Sequence, residues 1–82
     1  MAQKYLVVNR HDPEACEPME AALTHLPVHL KGAQLLCSCP YGEHGYYMTL
    51  EGESSEALIQ GLPPEMRPGT RAVPVEVFTL PG

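Results

Sequence analysis

The segment that decides the fold spans residues 34–51 and reads QLLCSCPYGEHGYYMTLE. It predicts a strand over Gln34–Cys39, a loop over Pro40–Glu43 and a further strand over Gly45–Glu51. The loop contains the proline and glycine that are typical of tight turns. Strands joined by so short a loop pair with each other and run antiparallel, so this segment predicts a hairpin.

The flanking segments complete an alternating order of strands and helices. The sequence predicts a strand over Tyr5–Arg10, a turn over Pro13–Glu17, a helix over Pro18–His25, a short helix over Glu56–Gln60 and a last strand over Arg71–Thr79. Ser54 or Ser55 caps the second helix, and Gly61 ends it. With the hairpin, the order is βαββαβ. This order, in a chain of 82 residues, predicts a single ferredoxin-like α+β plait over residues 1–82, with an antiparallel sheet in the order 4-1-3-2.

The predicted topology brings distant polar residues to one edge of the sheet. In this plait the end of the first strand lies beside the loop that joins the second and third strands. His11 follows the first strand, whereas Cys39 and His44 belong to the loop region. We therefore expect His11 to lie close to Cys39 and His44, although the sequence separates them widely.

The hairpin also contains the side chains that most strongly suggest chemistry. Two thiols and an imidazole, from Cys37, Cys39 and His44, fall within one short stretch. Thiolate sulfur and imidazole nitrogen are the ligands that bind zinc and related transition metals. The sequence therefore predicts a metal site, for zinc or another transition metal, with Cys37, Cys39 and His44 as ligands and His11 as the fourth. The alternative interpretation treats both cysteines as small packing residues.

The other candidate residues carry weaker signals. Cys16 lies near the start of the first helix and is interpreted as a helix residue without a chemical role. His25 and His29 flank Pro27 and are interpreted as solvated residues at the helix end. Three cysteines are too few for a disulfide framework, so all are expected to be thiols in a reducing compartment.

Composition argues against several classes of partner. Five Lys and Arg against ten Asp and Glu give a formal net charge of −5, and the basic residues are scattered. Nucleic-acid binding needs a clustered basic surface, so it is not expected, and the same charge disfavours anionic membranes. No apolar run is long enough to span a bilayer, and the N-terminus lacks the pattern of a signal peptide. A cytoplasmic protein is expected.

Size and patterning point to a second subunit. The chain has no Trp and a single Phe, so its predicted core is thin, and an uncovered apolar sheet face would need a partner. The topology, the size and the pattern Cys37-Ser38-Cys39-Pro40-x-Gly42-x-His44-x-Tyr46 resemble small members of the dimeric α/β-barrel superfamily. This resemblance implies a homodimer in which two sheets pack face to face. The superfamily includes monooxygenases, isomerases and haem enzymes, and none of their catalytic residues can be assigned here.

Three functional hypotheses follow. The favoured one is a small homodimeric protein that binds a metal or a small ligand where His11, Cys37, Cys39 and His44 meet. The second is a small enzyme of the isomerase or monooxygenase type, with His11 or His44 as general base. The third is a structural or interaction module in which the hairpin only packs.

Overall fold

The computed structural model describes residues 2–82 and has an α+β architecture. Four strands form one sheet, and two α-helices accompany it. The elements are β1 (Gln3–Arg10), α1 (Cys16–Ala22), β2 (Leu36–Cys37), β3 (Gly45–Gly52), α2 (Ser55–Gln60) and β4 (Thr70–Pro74). Short 3₁₀ turns cover Pro13–Ala15, Leu23–His25, Val28–Leu30, Cys39–Tyr41 and Pro64–Met66. The predicted α+β class, with an antiparallel four-stranded sheet and two helices, is confirmed.

The sheet has the order β2-β3-β1-β4, and every neighbouring pair is antiparallel. Counted from the opposite edge, the same arrangement reads 4-1-3-2. The long pairing of β1 with β3 begins at Gln3 and Gly52 and ends at Arg10 and Gly45. The residue after Arg10 therefore lies beside the residue before Gly45, which places His11 next to His44.

One face of the sheet packs against the helices and forms the core. Strand β1 alternates, so that Tyr5, Val7 and Asn9 are buried while the residues between them are partly exposed. The core cluster consists of Tyr5, Val7, Met19, Ala22, Leu30, Tyr46, Met48, Leu62, Met66 and Ala72. Asn9 is the polar member of the buried set, with an exposed fraction of 0%. A buried polar side chain needs hydrogen-bond partners, and those of Asn9 adjoin the site described below.

The opposite face of the sheet carries apolar side chains that no helix within residues 2–82 covers. Strand pairing places Tyr47 beside Leu36 and Val8, and it places Leu6 beside Val73. Leu36 is 65% exposed and Val73 is 36% exposed. We call these five residues the open sheet face.

Two predicted strands are shorter than expected, and each ends at or near a proline. Strand β2 covers Leu36–Cys37 instead of residues 34–39, because a 3₁₀ turn containing Pro40 already begins at Cys39. Strand β4 ends at Pro74 instead of Thr79. Proline has no N–H to donate to a ladder, but beyond Pro74 the Val75 N–H still donates to the Lys4 carbonyl at 3.0 Å.

Helix α1 begins earlier than predicted. It starts at Cys16 rather than at Pro18. Pro18 is the third residue of this helix, and the first four N–H groups of a helix have no carbonyl partner within it. Pro18 is therefore compatible with this helix, and Cys16 becomes its first residue. Within residues 2–82, no helix combines the length and the apolar character that crossing a membrane requires.

Candidate metal centre

Backbone hydrogen bonds fix the position of His11 at the end of β1. The N–H of Arg10 donates to the carbonyl of Gly69 at 3.1 Å, and the N–H of His11 donates to the carbonyl of His44 at 3.0 Å. The β1–β3 pairing thus continues one residue past the strand. It holds the two histidine side chains near each other, with ring centroids 6.1 Å apart.

The loop between β2 and β3 supplies Cys39 and His44. Cys39 begins a 3₁₀ turn that ends at Tyr41, and the next residue, Gly42, has a φ of +92°. A glycine there permits the left-handed conformation that reverses the chain. The Ser38 hydroxyl donates to the carbonyl of Glu43, so the two ends of the loop lie close together. This closure brings Cys39 and His44 to the same side as His11.

Cys16 approaches the same place from the start of α1. The N–H of Ala15 donates to the carbonyl of Asp12 at 2.9 Å, and this turn folds the chain back after β1. Pro13 suits the first position of the 3₁₀ turn, where no N–H donor is needed. Cys16, the first residue of α1, consequently lies close to the C-terminal end of β1.

Four side chains meet at this point: His11, Cys16, Cys39 and His44. One nitrogen or sulfur of each lies within 4.8 Å of the corresponding atoms of the other three. The Cys16 Sγ is 3.2 Å from His11 Nε2 and 3.1 Å from His44 Nδ1. The Cys39 Sγ is 3.4 Å from His11 Nε2 and 3.7 Å from the Cys16 Sγ. All four are partly buried. We call this group the His₂Cys₂ cluster.

Four of the six donor–donor separations lie close to the edges of a tetrahedral metal site. With Zn–S bonds of about 2.3 Å and Zn–N bonds of about 2.0–2.1 Å, ideal tetrahedral angles place two sulfurs about 3.8 Å apart and sulfur and nitrogen about 3.6 Å apart. The observed sulfur–sulfur distance is 3.7 Å, and the sulfur–nitrogen distances are 3.1, 3.2 and 3.4 Å. These four separations are at most about half an ångström below the ideal values, and all six lie within 4.8 Å, so small side-chain shifts would let the cluster hold a tetrahedral metal ion.

The structure places Cys37 outside the cluster, so its role as a ligand stays a prediction. Cys37 is exposed and pairs with Tyr46 at the edge of the sheet, and Cys16 takes the fourth position instead. Cys39 belongs to the turn rather than to the strand, although both thiols of the hairpin line the same small cavity. The expected convergence of His11, Cys39 and His44 is present.

A spacing that the sequence analysis did not use reveals Cys16. His11 and Cys16 enclose four residues, and Cys39 and His44 also enclose four. Each pair spans one tight turn, so the two pairs have the same spacing in the sequence. This repeated spacing, combined with the predicted proximity of the two segments, could have identified Cys16 as the fourth member of the cluster.

Local electrostatics distinguish His11 from Cys37. Burial lowers the pKa of His11 below its ordinary value, His44 lowers it further, and Asp12 opposes the change. His11 is thus neutral and able to bind a metal at neutral pH. For Cys37, the backbone of Cys39 lowers the thiol pKa, but burial, the Cys39 thiol and Glu20 together raise it above its ordinary value.

The space around the cluster is small. A cavity of about 30 Å³ adjoins it, and its lining comprises His11, Cys16, Cys37 and Cys39 together with Glu20 and largely apolar side chains. That volume has room for a water molecule but not for an organic substrate. A larger cleft of about 530 Å³ lies between α1 and residues 60–67, and its lining includes His25 but neither His11 nor His44.

No protein-family model, curated protein or solved structure matches this chain.

Proposed function

We propose that this protein binds one zinc ion through His11, Cys16, Cys39 and His44. The observation that carries the proposal is the convergence of four nitrogen and sulfur donors within 4.8 Å of one another from three separate segments of the chain. Two thiolates and two imidazoles in a tetrahedral arrangement favour zinc among the common metals of proteins. Thiolate ligands and free cysteines suit a reducing compartment such as the cytoplasm.

The role that fits this site is structural. Four protein ligands complete a tetrahedral shell, whereas catalytic zinc sites keep a position for water or substrate. The ion would join the end of β1, the start of α1 and the β2–β3 loop. In a protein of 82 residues with a thin core, such a junction contributes directly to folding. The 30 Å³ cavity beside the cluster gives no support to the enzyme alternative.

Elemental analysis tests this proposal. The protein should be purified without a metal-affinity tag, and it should contain about one zinc per chain, as one four-ligand site requires. His11→Ala and Cys39→Ser should lose the metal, whereas His25→Ala should keep it because His25 is exposed and lies outside the cluster. A well-folded wild-type protein that neither contains zinc nor takes it up would overturn the proposal.

We further propose that the protein is a ferredoxin-like homodimer whose subunits pack through the open sheet face, as in dimeric α/β barrels. The support is the row of uncovered apolar side chains on that face, which includes Leu36 and Val73. A second copy presents the same apolar surface, and a two-fold axis makes such a surface self-complementary. Covering it would extend the thin core of each subunit.

Sedimentation equilibrium tests the dimer. Leu36→Glu places a charge on the open sheet face and should weaken association. Val28→Glu is the matched control, because Val28 is 82% exposed and lies outside the sheet. A wild-type protein that remains monomeric at micromolar concentration, or equal association of both variants, would contradict this interface.

A further inference from the structure

Asn9 connects the His₂Cys₂ cluster to the core. Its side chain has an exposed fraction of 0%. Its amide nitrogen donates to the carbonyl of Pro68 at 2.9 Å and to the Thr70 hydroxyl at 2.8 Å. Its carbonyl oxygen lies 2.6 Å from His11 Nδ1. Every polar atom of this buried side chain therefore has a partner.

The partners determine which way the Asn9 amide points. The backbone carbonyl of Pro68 can only accept a hydrogen bond, so the amide nitrogen must face it. The Thr70 hydroxyl donates to the carbonyl of Met66 and accepts from Asn9. The remaining atom, Asn9 Oδ1, is an acceptor and faces His11. Because an acceptor needs a donor opposite it, His11 Nδ1 must carry the proton.

The proton on Nδ1 has a direct consequence for the other ring nitrogen. A neutral imidazole with its proton on Nδ1 has a free lone pair on Nε2. His11 Nε2 is the atom that faces the sulfurs of Cys16 and Cys39. The lone pair is thus aimed into the cluster before any metal arrives.

We propose that Asn9 is a positioning residue that holds the tautomer and the ring orientation of His11 for metal binding. The part of this inference that concerns affinity rests on the proposed zinc site, whereas the tautomer belongs to the metal-free chain. Hydrogen bonds of this kind fix metal-binding histidines in other proteins, and their loss costs about 10–100-fold in metal affinity. Asn9 also links His11 to Thr70 and Met66, so the same side chain serves the site and the core.

Nitrogen-15 NMR of the metal-free protein tests the tautomer. We expect the His11 ring to be protonated at Nδ1 and unprotonated at Nε2 near pH 8. The Thr70→Val variant removes one acceptor of the Asn9 amide and leaves the Asn9–His11 contact in place, so it should show the same tautomer. A proton on Nε2 in the wild-type protein would overturn the inference, whether or not the protein binds zinc.

Zinc affinity tests the consequence. Asn9→Leu removes the acceptor, and we expect the zinc Kd to rise by about 10–100-fold. Asn9→Asp keeps an acceptor for His11 Nδ1 but loses the bonds that the amide donates. Asn9→Asp should therefore destabilise the fold while its zinc affinity stays equal to or tighter than that of the wild type. If Asn9 served only the fold, stability and zinc affinity would fall together.

The outcomes separate the two proposals. Equal zinc affinity in Asn9→Leu and wild type would overturn the positioning role, and so would parallel losses of affinity in Asn9→Asp and Asn9→Leu. If Asn9→Leu does not fold, the His11 tautomer of the wild-type protein and the zinc affinity of Asn9→Asp still test the positioning role. A wild-type protein with the expected tautomer that binds no zinc would overturn the proposed function alone.

Discussion

At the scale of single residues, Cys16 and Cys37 offer a matched comparison. Both are free thiols near the same loop, but only Cys16 belongs to the His₂Cys₂ cluster. Cys16→Ser should weaken zinc binding by at least about 100-fold, because it replaces a thiolate ligand with a hydroxyl. Cys37→Ser should leave the affinity unchanged. Competition with a chromophoric chelator measures both, and the reverse order of effects would assign the site to the hairpin thiols instead.

Protonation of the ligands makes metal binding dependent on pH. Each thiol and imidazole must lose its proton to bind zinc, so affinity should fall as the pH decreases. The pKa of His11 is lowered, chiefly by burial. His11 therefore stays neutral to a more acidic pH than an ordinary histidine. The loss of zinc affinity that comes from protonating His11 should begin at that lower pH. Zinc titrations between about pH 5 and 8 measure this, and a constant Kd would contradict imidazole and thiolate ligation.

At the scale of elements, the turn before β4 supports the cluster through Gly69. Gly69 has a φ of +75°, and a Cβ there would overlap the carbonyl oxygen of Arg10. That carbonyl belongs to the residue immediately before His11. Gly32 has a φ of +86° but no heavy atom within 4 Å of a built Cβ. The two glycines therefore share a conformation and differ in crowding.

We predict that Gly69→Ala destabilises the fold more than Gly32→Ala. The left-handed conformation costs alanine about 1–2 kcal/mol at either position. The overlap at Gly69 should add about 1–3 kcal/mol, as overpacking does elsewhere. Urea denaturation of both variants measures the difference. Equal losses of stability would show that the Arg10 carbonyl moves without cost.

The same elements show how far the sequence predicts the structure. The α+β class follows from the strand and helix patterns. So does the proximity of His11 to Cys39 and His44, because antiparallel pairing of β1 with β3 places the residue after β1 beside the residue before β3. The lengths of β2 and β4 do not follow, since both strands end at or near a proline, Pro40 or Pro74, in segments whose composition favours strands. The role of Cys16 depends on a helix that starts at Cys16 rather than Pro18, and propensity defines such boundaries poorly.

At the scale of the whole molecule, zinc should stabilise the fold. A ligand that binds only the folded state adds RT ln(1 + [L]/Kd), which is about 4 kcal/mol at a free concentration near 1,000 times Kd. The cluster joins two short segments, residues 11–16 and 39–44, and Cys16 and Cys39 are 23 positions apart in the sequence, so its four ligands converge only after folding. Thermal unfolding with and without a chelator measures the effect, with Cys16→Ser as the unresponsive control. An unchanged melting temperature on metal removal would contradict a structural role.

X-ray absorption at the zinc edge tests the central claim most directly, because it counts the ligand types around the ion. The proposed site predicts two sulfur neighbours at about 2.3 Å and two nitrogen neighbours at about 2.0–2.1 Å. Cys16→Ser should reduce the sulfur count by one, and Cys37→Ser should leave it unchanged. A shell made only of oxygen and nitrogen, or a sulfur count that falls with Cys37→Ser instead, would contradict binding by the His₂Cys₂ cluster.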